Sequence, residues 1–205
     1  MRQTNWQAAL AAHPRPIEAL VVGASAGGVS ALLTIFAALP AHFRLPIAVV
    51  LHLPDNRQSA LAEVMGRRLG LTAKEADNHE HLQAGILYFA APGYHLSVEA
   101  DHSFSFSREE PVYFSRPSID YLFESAADAY GANLAGVLLT GANEDGASGL
   151  LAIKQQGGFT VVQDPKDAHV PTMPLAALAL HQPDVVAGLA DIRALLVELE
   201  ATHAC

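Results

Sequence analysis

Short, wholly apolar runs alternate along this chain with longer stretches of helical period. Ala19-Leu20-Val21-Val22 stops at Gly23, and Ile47-Ala48-Val49-Val50-Leu51 opens after Pro46. Leu134 to Leu139, Phe159 to Val162 and Asp184 to Ala187 have the same character. Runs that are apolar at nearly every position, rather than alternating, suit parallel strands covered on both faces. Between them, Val29 to Leu39, Ser59 to Leu69, Ser115 to Tyr130, the stretch after Gly146 to Gln156, and Ile192 to Leu199 read as helices. Ile119, Leu122, Phe123, Ala126 and Tyr130 form one apolar stripe, with Pro117 suited to a first helical position.

The middle of the chain departs from this rhythm. Ile86 to Ala90, Tyr94 to Val98 and Phe104 to Phe106 read as short strands joined by turns such as Pro92-Gly93. Leu96-Ser97-Val98 and Ser103-Phe104-Ser105-Phe106 alternate, which predicts an antiparallel insertion with one wet face. The whole pattern predicts an α/β fold over residues 18–200: a single doubly wound, mostly parallel sheet with helices on both faces and a small antiparallel hairpin insertion. Residues 1–17 read as a short helix or loose arm, and residues 201–205 as a tail. Such sheets bind ligands at the carboxyl ends of their strands.

Composition narrows the function. Of 205 residues, 51% are hydrophobic and 16% charged, enough apolar surface for a large core and too much for disorder. The formal net charge of -9 argues against nucleic acid as a partner, since a phosphate-tracking protein needs a basic footprint. No stretch reaches the roughly 18–20 apolar residues that span a bilayer, so no membrane insertion is expected. Met1 to Pro16 lacks the apolar centre of a signal peptide. The one cysteine, Cys205, is the last residue, which fits a cytoplasmic protein without an internal disulfide.

Three strand ends carry candidate chemistry. Gly23-Ala24-Ser25-Ala26-Gly27-Gly28 satisfies G-x-S-x-G, the sharp strand-to-helix turn that exposes a nucleophilic serine. Read alone it is also a phosphate-binding turn, although it lacks the second glycine of G-x-G-x-x-G and the lysine of a P-loop. His52 follows the strand that ends at Leu51; read alone, it is a structural or solvated histidine. Gly141-Ala142-Asn143-Glu144-Asp145-Gly146 follows the strand ending Leu138-Leu139-Thr140, and Asp145 there either caps the next helix or orients a histidine. A serine, a histidine and an acid at three strand ends follow the logic of a catalytic triad, in the chain order Ser25, His52, Asp145. His79 and His81 flank Glu80 and read as a solvated turn rather than a metal pair, so neither a metal nor a cofactor is expected.

These segments resemble the catalytic domain of the CheB methylesterase family. Val22-Gly23-Ala24-Ser25-Ala26-Gly27-Gly28 is similar to its G-A-S-T-G-G loop, and His52-Leu53-Pro54 to its Q-H-M-P segment. Ala91-Pro92-Gly93 with His95 is similar to A-P-G-x-x-H, and Arg116 to Phe123 to R-P-S-V-D-x-L-F. Leu138-Leu139-Thr140-Gly141 with Asp145-Gly146 is similar to I-L-T-G-M-G-x-D-G, and Met173-Pro174 to a G-M-P turn with Thr172 in place of glycine. The resemblance implies that Ser25 is the nucleophile, His52 the base and Asp145 the orienting acid. It further implies that backbone N–H groups near Ala26 or Ala142 hold the oxyanion. The implied substrate is a methylated chemotaxis-type receptor, with hydrolysis of glutamate γ-methyl esters and, in many members, deamidation of glutamine. Arg116 is expected to be exposed at a helix start, steering acidic receptor helices or forming a surface salt bridge, and Asn143, in a family glycine position, to tolerate unusual backbone angles. Two other readings stay open at this point: a serine esterase acting on small esters, and a non-catalytic signalling module of the same fold.

Many family members carry an N-terminal receiver domain whose phosphorylation relieves inhibition, and the segment 1–17 is too short to hold one. The expectation is activity independent of phosphorylation of this chain, with control by expression or a separate regulatory partner. Acetyl phosphate should therefore leave turnover unchanged; a clear rise in an ester-hydrolysis assay would contradict this.

Overall fold

The structure, a computed structural model, describes residues 5–52 and 60–203. The expected start of a helix at Ser59, the Leu53-Pro54 pair and Cys205 lie outside the described residues. Seven parallel strands form the central sheet: β1 (Ala19–Ala24), β2 (Ile47–Leu51), β3 (Ala73–Glu75), β4 (Leu87–Phe89), β7 (Leu134–Leu138), β8 (Phe159–Gln163) and β9 (Val185–Ala187). Their order is β3-β4-β2-β1-β7-β8-β9. Strands β5 (His95–Val98) and β6 (Phe104–Ser107) form a separate antiparallel hairpin.

The apolar runs are buried on both faces because successive residues supply opposite cores. Leu20, Val22, Val49 and Leu51 join one hydrophobic cluster, while Ala19, Val21, Ala48 and Val50 join the other. The first face is covered by α2 (Gly28–Phe36), α3 (Leu61–Leu69) and α7 (Leu189–His203), with the short α1 (Trp6–Ala11) packed beside them. The second is covered by α4 (Ile119–Tyr130), α5 (Ala147–Gln155), α6 (Thr172–Leu180) and the hairpin. Among the described residues, no helix is long and apolar enough to cross a membrane.

The structure corrects several local readings. Leu87–Phe89 belongs to the parallel sheet beside β2, so the antiparallel insertion is the β5–β6 hairpin alone. Its inner positions Leu96, Val98 and Phe104 are buried against α4 and the sheet. Pro117 precedes the N-cap Ser118 rather than opening the helix. Neither β3 nor α6 was expected. Strand β3 is a polar three-residue edge, and edges carry charge to discourage pairing with other chains. Helix α6 holds Pro174 in its first turn, where a missing N–H costs no helical bond.

Chain order decides where chemistry can sit. From β1 the chain moves outward to β2 and on to the edge strand β3, steps back to β4 between them, and after the hairpin returns to the other side of β1 as β7. That reversal makes the carboxyl ends of β1 and β7 a topological switch point, where α/β sheets open a crevice. Ser25 follows β1, His52 follows β2, and the loop holding Asp145 follows β7.

Helices α4 and α5 pack closely on the second face of the sheet, with the start of α4 against the Asp145 loop, and Gly149 sets their distance. A Cβ there would lie 2.5 Å from Phe123 Cβ and 3.1 Å from Asp120 Cα. Gly149→Ala should cost about 1–3 kcal/mol by overpacking, read as a lower urea midpoint at unchanged slope.

Candidate active site

Asp145 organises the site. Its side chain is fully buried, and its two oxygens receive four hydrogen bonds. Oδ2 accepts from His52 Nε2 at 2.8 Å and from the Ile119 N–H at 2.7 Å. Oδ1 accepts from Ser118 Oγ at 2.8 Å and from the Asp120 N–H at 3.0 Å. Ile119 and Asp120 open α4, so two N–H groups that no helical carbonyl can reach, together with the positive end of the helix dipole, face the carboxylate. Burial pushes the Asp145 carboxyl up, but the bonds from His52, Ile119 and Asp120 outweigh it and hold the group below the ordinary aspartate range.

Asp145 does not cap the helix that follows it. It caps α4, while Asp120, in the first turn of α4, accepts from the Gly149 N–H of α5 at 2.7 Å. The two helices thus exchange caps. Asp120 is itself buried, and burial above all, then the neighbouring Asp145 and Glu124 charges, raise its carboxyl to about 7 against the Gly149 N–H that lowers it.

His52 has its side chain 9% exposed. In the neutral ring, Nε2 donates to a carboxylate that can only accept, which leaves Nδ1 as the unprotonated nitrogen. Nδ1 accepts from Ser115 Oγ at 3.3 Å. Ser25 lies one residue beyond the paired positions Ala24 and Leu51, and the His52 N–H donates to the Ala24 carbonyl at 3.1 Å. Adjacent strands stand about 4.8 Å apart, so Ser25 and His52 leave the sheet side by side. Among the described residues, Ser25 Oγ has no hydrogen-bond partner, and neither have the N–H groups of Ala26 and Ala142.

The serine turn is held by its neighbours. Gly27 sits at φ +82°, and a Cβ there would meet His169 Cβ at 2.7 Å, so both backbone and space require glycine. The Ser25 N–H donates to the Thr140 carbonyl at 2.9 Å. Thr140 Oγ1 donates to the Ala26 carbonyl and accepts from the Val170 N–H, each at 2.8 Å.

Sequence reasoning named Ser25, His52 and Asp145 but gave their supports no role. Ser118 and Asp120 stood in the quoted Arg116-Pro117-Ser118-Ile119-Asp120 segment without a role. His95 is fully buried: Nδ1 accepts from the Ser118 N–H at 3.1 Å, Nε2 donates to the Glu110 carbonyl at 3.2 Å, and the ring stacks on Tyr121. Arg116 is half-buried and donates to the carbonyls of Arg108 and Glu109, rather than standing exposed or forming a salt bridge. Asn143 is not at positive φ; its Oδ1 accepts from the Asp145 N–H at 3.3 Å. His79 and His81 lie exposed on the turn before β4.

A family model described as CheB methylesterase matches residues 20–196. The chain belongs to the CheB methylesterase family. It is thereby a hydrolase of carboxylic esters. Among members of the family, a Leptospira interrogans protein provisionally named protein-glutamate methylesterase/protein-glutamine glutaminase is 44% identical over 186 residues, which cover 91% of this chain and 96% of that protein. A protein-glutamate methylesterase/protein-glutamine glutaminase of Methanospirillum hungatei is 41% identical over 165 residues, 80% of this chain and 47% of the longer relative. The crystal structure of the Thermotoga maritima CheB methylesterase catalytic domain superposes with a TM-score of 0.85 at 30% identity, covering 90% of this chain and 100% of that one.

The two buried acids titrate in separate windows. Asp120 binds its proton more tightly folded than unfolded, so its contribution is complete below pH 3.8 and lost as pH rises through about 7. Asp145 acts oppositely and only at lower pH, its contribution vanishing as pH falls below the ordinary aspartate range. Asp120→Asn should therefore flatten the fall in stability between about pH 4 and pH 7, measured as urea midpoints across that range.

Proposed function

We propose that this CheB-family chain is a protein-glutamate methylesterase of a chemotaxis-type sensory pathway, acting on receptor glutamates from the cytoplasm through Ser25, His52 and Asp145. The observation that carries the reading is the 2.8 Å bond from His52 to a buried, four-fold bonded Asp145, at the sheet edge where Ser25 also emerges. A buried carboxylate so heavily bonded is an orienting group, not a solvated charge.

Ser25 Oγ attacks the ester carbonyl while His52 Nδ1 takes its proton. The resulting imidazolium keeps its Nε2–H on Asp145 and returns the Nδ1 proton to the leaving oxygen, so methanol departs and an acyl-serine remains. Water, activated by the same Nδ1, then releases the glutamate carboxylate and restores Ser25. The free N–H groups of Ala26 and Ala142 receive the oxyanion, each lowering the barrier by about 3 kcal/mol. Glutamine deamidation, which the relatives' names include, uses the same steps with ammonia leaving.

The test is methanol release from methylated receptor membranes. Wild type should release methanol. Ser25→Ala should lose several orders of magnitude in rate. Asp145→Asn should lose roughly 10⁴-fold, since an amide no longer fixes the Nε2–H tautomer. Small-ester turnover without any receptor demethylation would point instead to a general esterase.

A further inference from the structure

A glutamate γ-ester carbon lies only about 4 Å from its own Cα. For Ser25 to reach it, the substrate backbone must come down onto the enzyme surface around the site. Whatever projects beside Ser25 and His52 therefore touches residues flanking the esterified glutamate.

What projects there is a two-residue hairpin turn. Val112 and Ser115 bond to each other through both backbone pairs, at 3.1 and 2.8 Å, with Tyr113 and Phe114 at the tip. The tip lies at the site: Ser115 Oγ donates to His52 Nδ1, and Asn143, two residues before Asp145, reaches the Tyr113 carbonyl. The base of this strap is pinned. His95 holds the Glu110 carbonyl, Arg116 holds those of Arg108 and Glu109, and Tyr121 bonds Glu109.

The tip is unusual in two independent ways. Its central residues sit at φ 46° and 63°, a conformation that favours Asn-Gly and disfavours aromatic side chains. Both side chains face outward, Tyr113 at 44% exposure and Phe114 at 100%. Two aromatic residues held in a costly conformation, and not used to pack the fold, have another use.

We propose that Tyr113 and Phe114 form the docking anchor for the substrate protein, packing on the apolar surface of the receptor segment beside the esterified glutamate. The pinned base presents the rings at little entropic cost, as rigid aromatic anchors do at protein interfaces. This deepens the methylesterase reading and rests on it.

The test compares wild type, the double variant Tyr113→Asn/Phe114→Gly, and Phe114→Trp, on methylated receptor membranes and on N-acetyl glutamate γ-methyl ester amide. Asn-Gly suits the turn, so the double variant should fold at least as stably as wild type. Its KM for receptor should rise about tenfold or more with kcat little changed, and its small-ester kinetics should stay as in wild type. Phe114→Trp should keep the wild-type KM. An unchanged receptor KM in the double variant overturns the inference and leaves the methylesterase reading standing. A parallel loss on both substrates also overturns it, since the turn would then serve only to hold Ser115 against His52. Wild type that hydrolyses the small ester but never the receptor overturns both.

Discussion

A carboxylate taken out of water must be met by donors on nearly every lone pair, and Asp145 imposes that requirement on the structure around it. Two of its donors are backbone N–H groups at the start of α4, so α4 has to begin against the loop after β7. The third is Ser118, whose own N–H is taken by the buried His95 of the hairpin. The fourth is His52. One charge thus ties together the second layer of helices, the antiparallel hairpin and the carboxyl edge of the sheet, and leaves the imidazole one orientation in which to act.

The neighbouring contacts are consequences of that placement. Because Asp145 serves α4, the next helix takes its cap from Asp120, and Gly149 must be small for the two helices to approach. Thr140, two residues past the end of β7, links the serine turn to the loop before α6 through Ala26 and Val170. The Thr140 N–H is in turn held by the buried Gln163 of β8 at 2.9 Å. The three loops that meet at the crevice are therefore tied to one another by hydrogen bonds, above the apolar side chains of Ile119, Leu138 and Met173 on which their glycines pack.

The sheet was legible because a strand buried on both faces leaves an unbroken apolar run, as at Ile47–Leu51 and Leu134–Leu138. The edge strand β3 left no such trace, since Lys74 and Glu75 face solvent demands rather than a core. Strand β4 was visible, but its parallel partner was not, because pairing is a property of the assembled sheet. Ser25, His52 and Asp145 could be named because each directly follows a recognisable strand or sits in its glycine loop. Their supports could not: His95, Ser118 and Asp120 are far apart in sequence or looked like ordinary helix-start polarity. Only the fold reveals that Asp145 looks across to α4 and that Ser115 shares the His52 ring.

The proposed chemistry requires Asp145 to hold His52 with Nε2 protonated and Nδ1 free to take the serine proton. Nitrogen NMR of the 15N-labelled imidazole in the resting enzyme at neutral pH reads this directly. His52 should show a protonated Nε2 and an unprotonated Nδ1, a preference that weakens in Asp145→Asn. A His52 ring protonated mainly at Nδ1, or one unaffected by the Asp145 substitution, would contradict it.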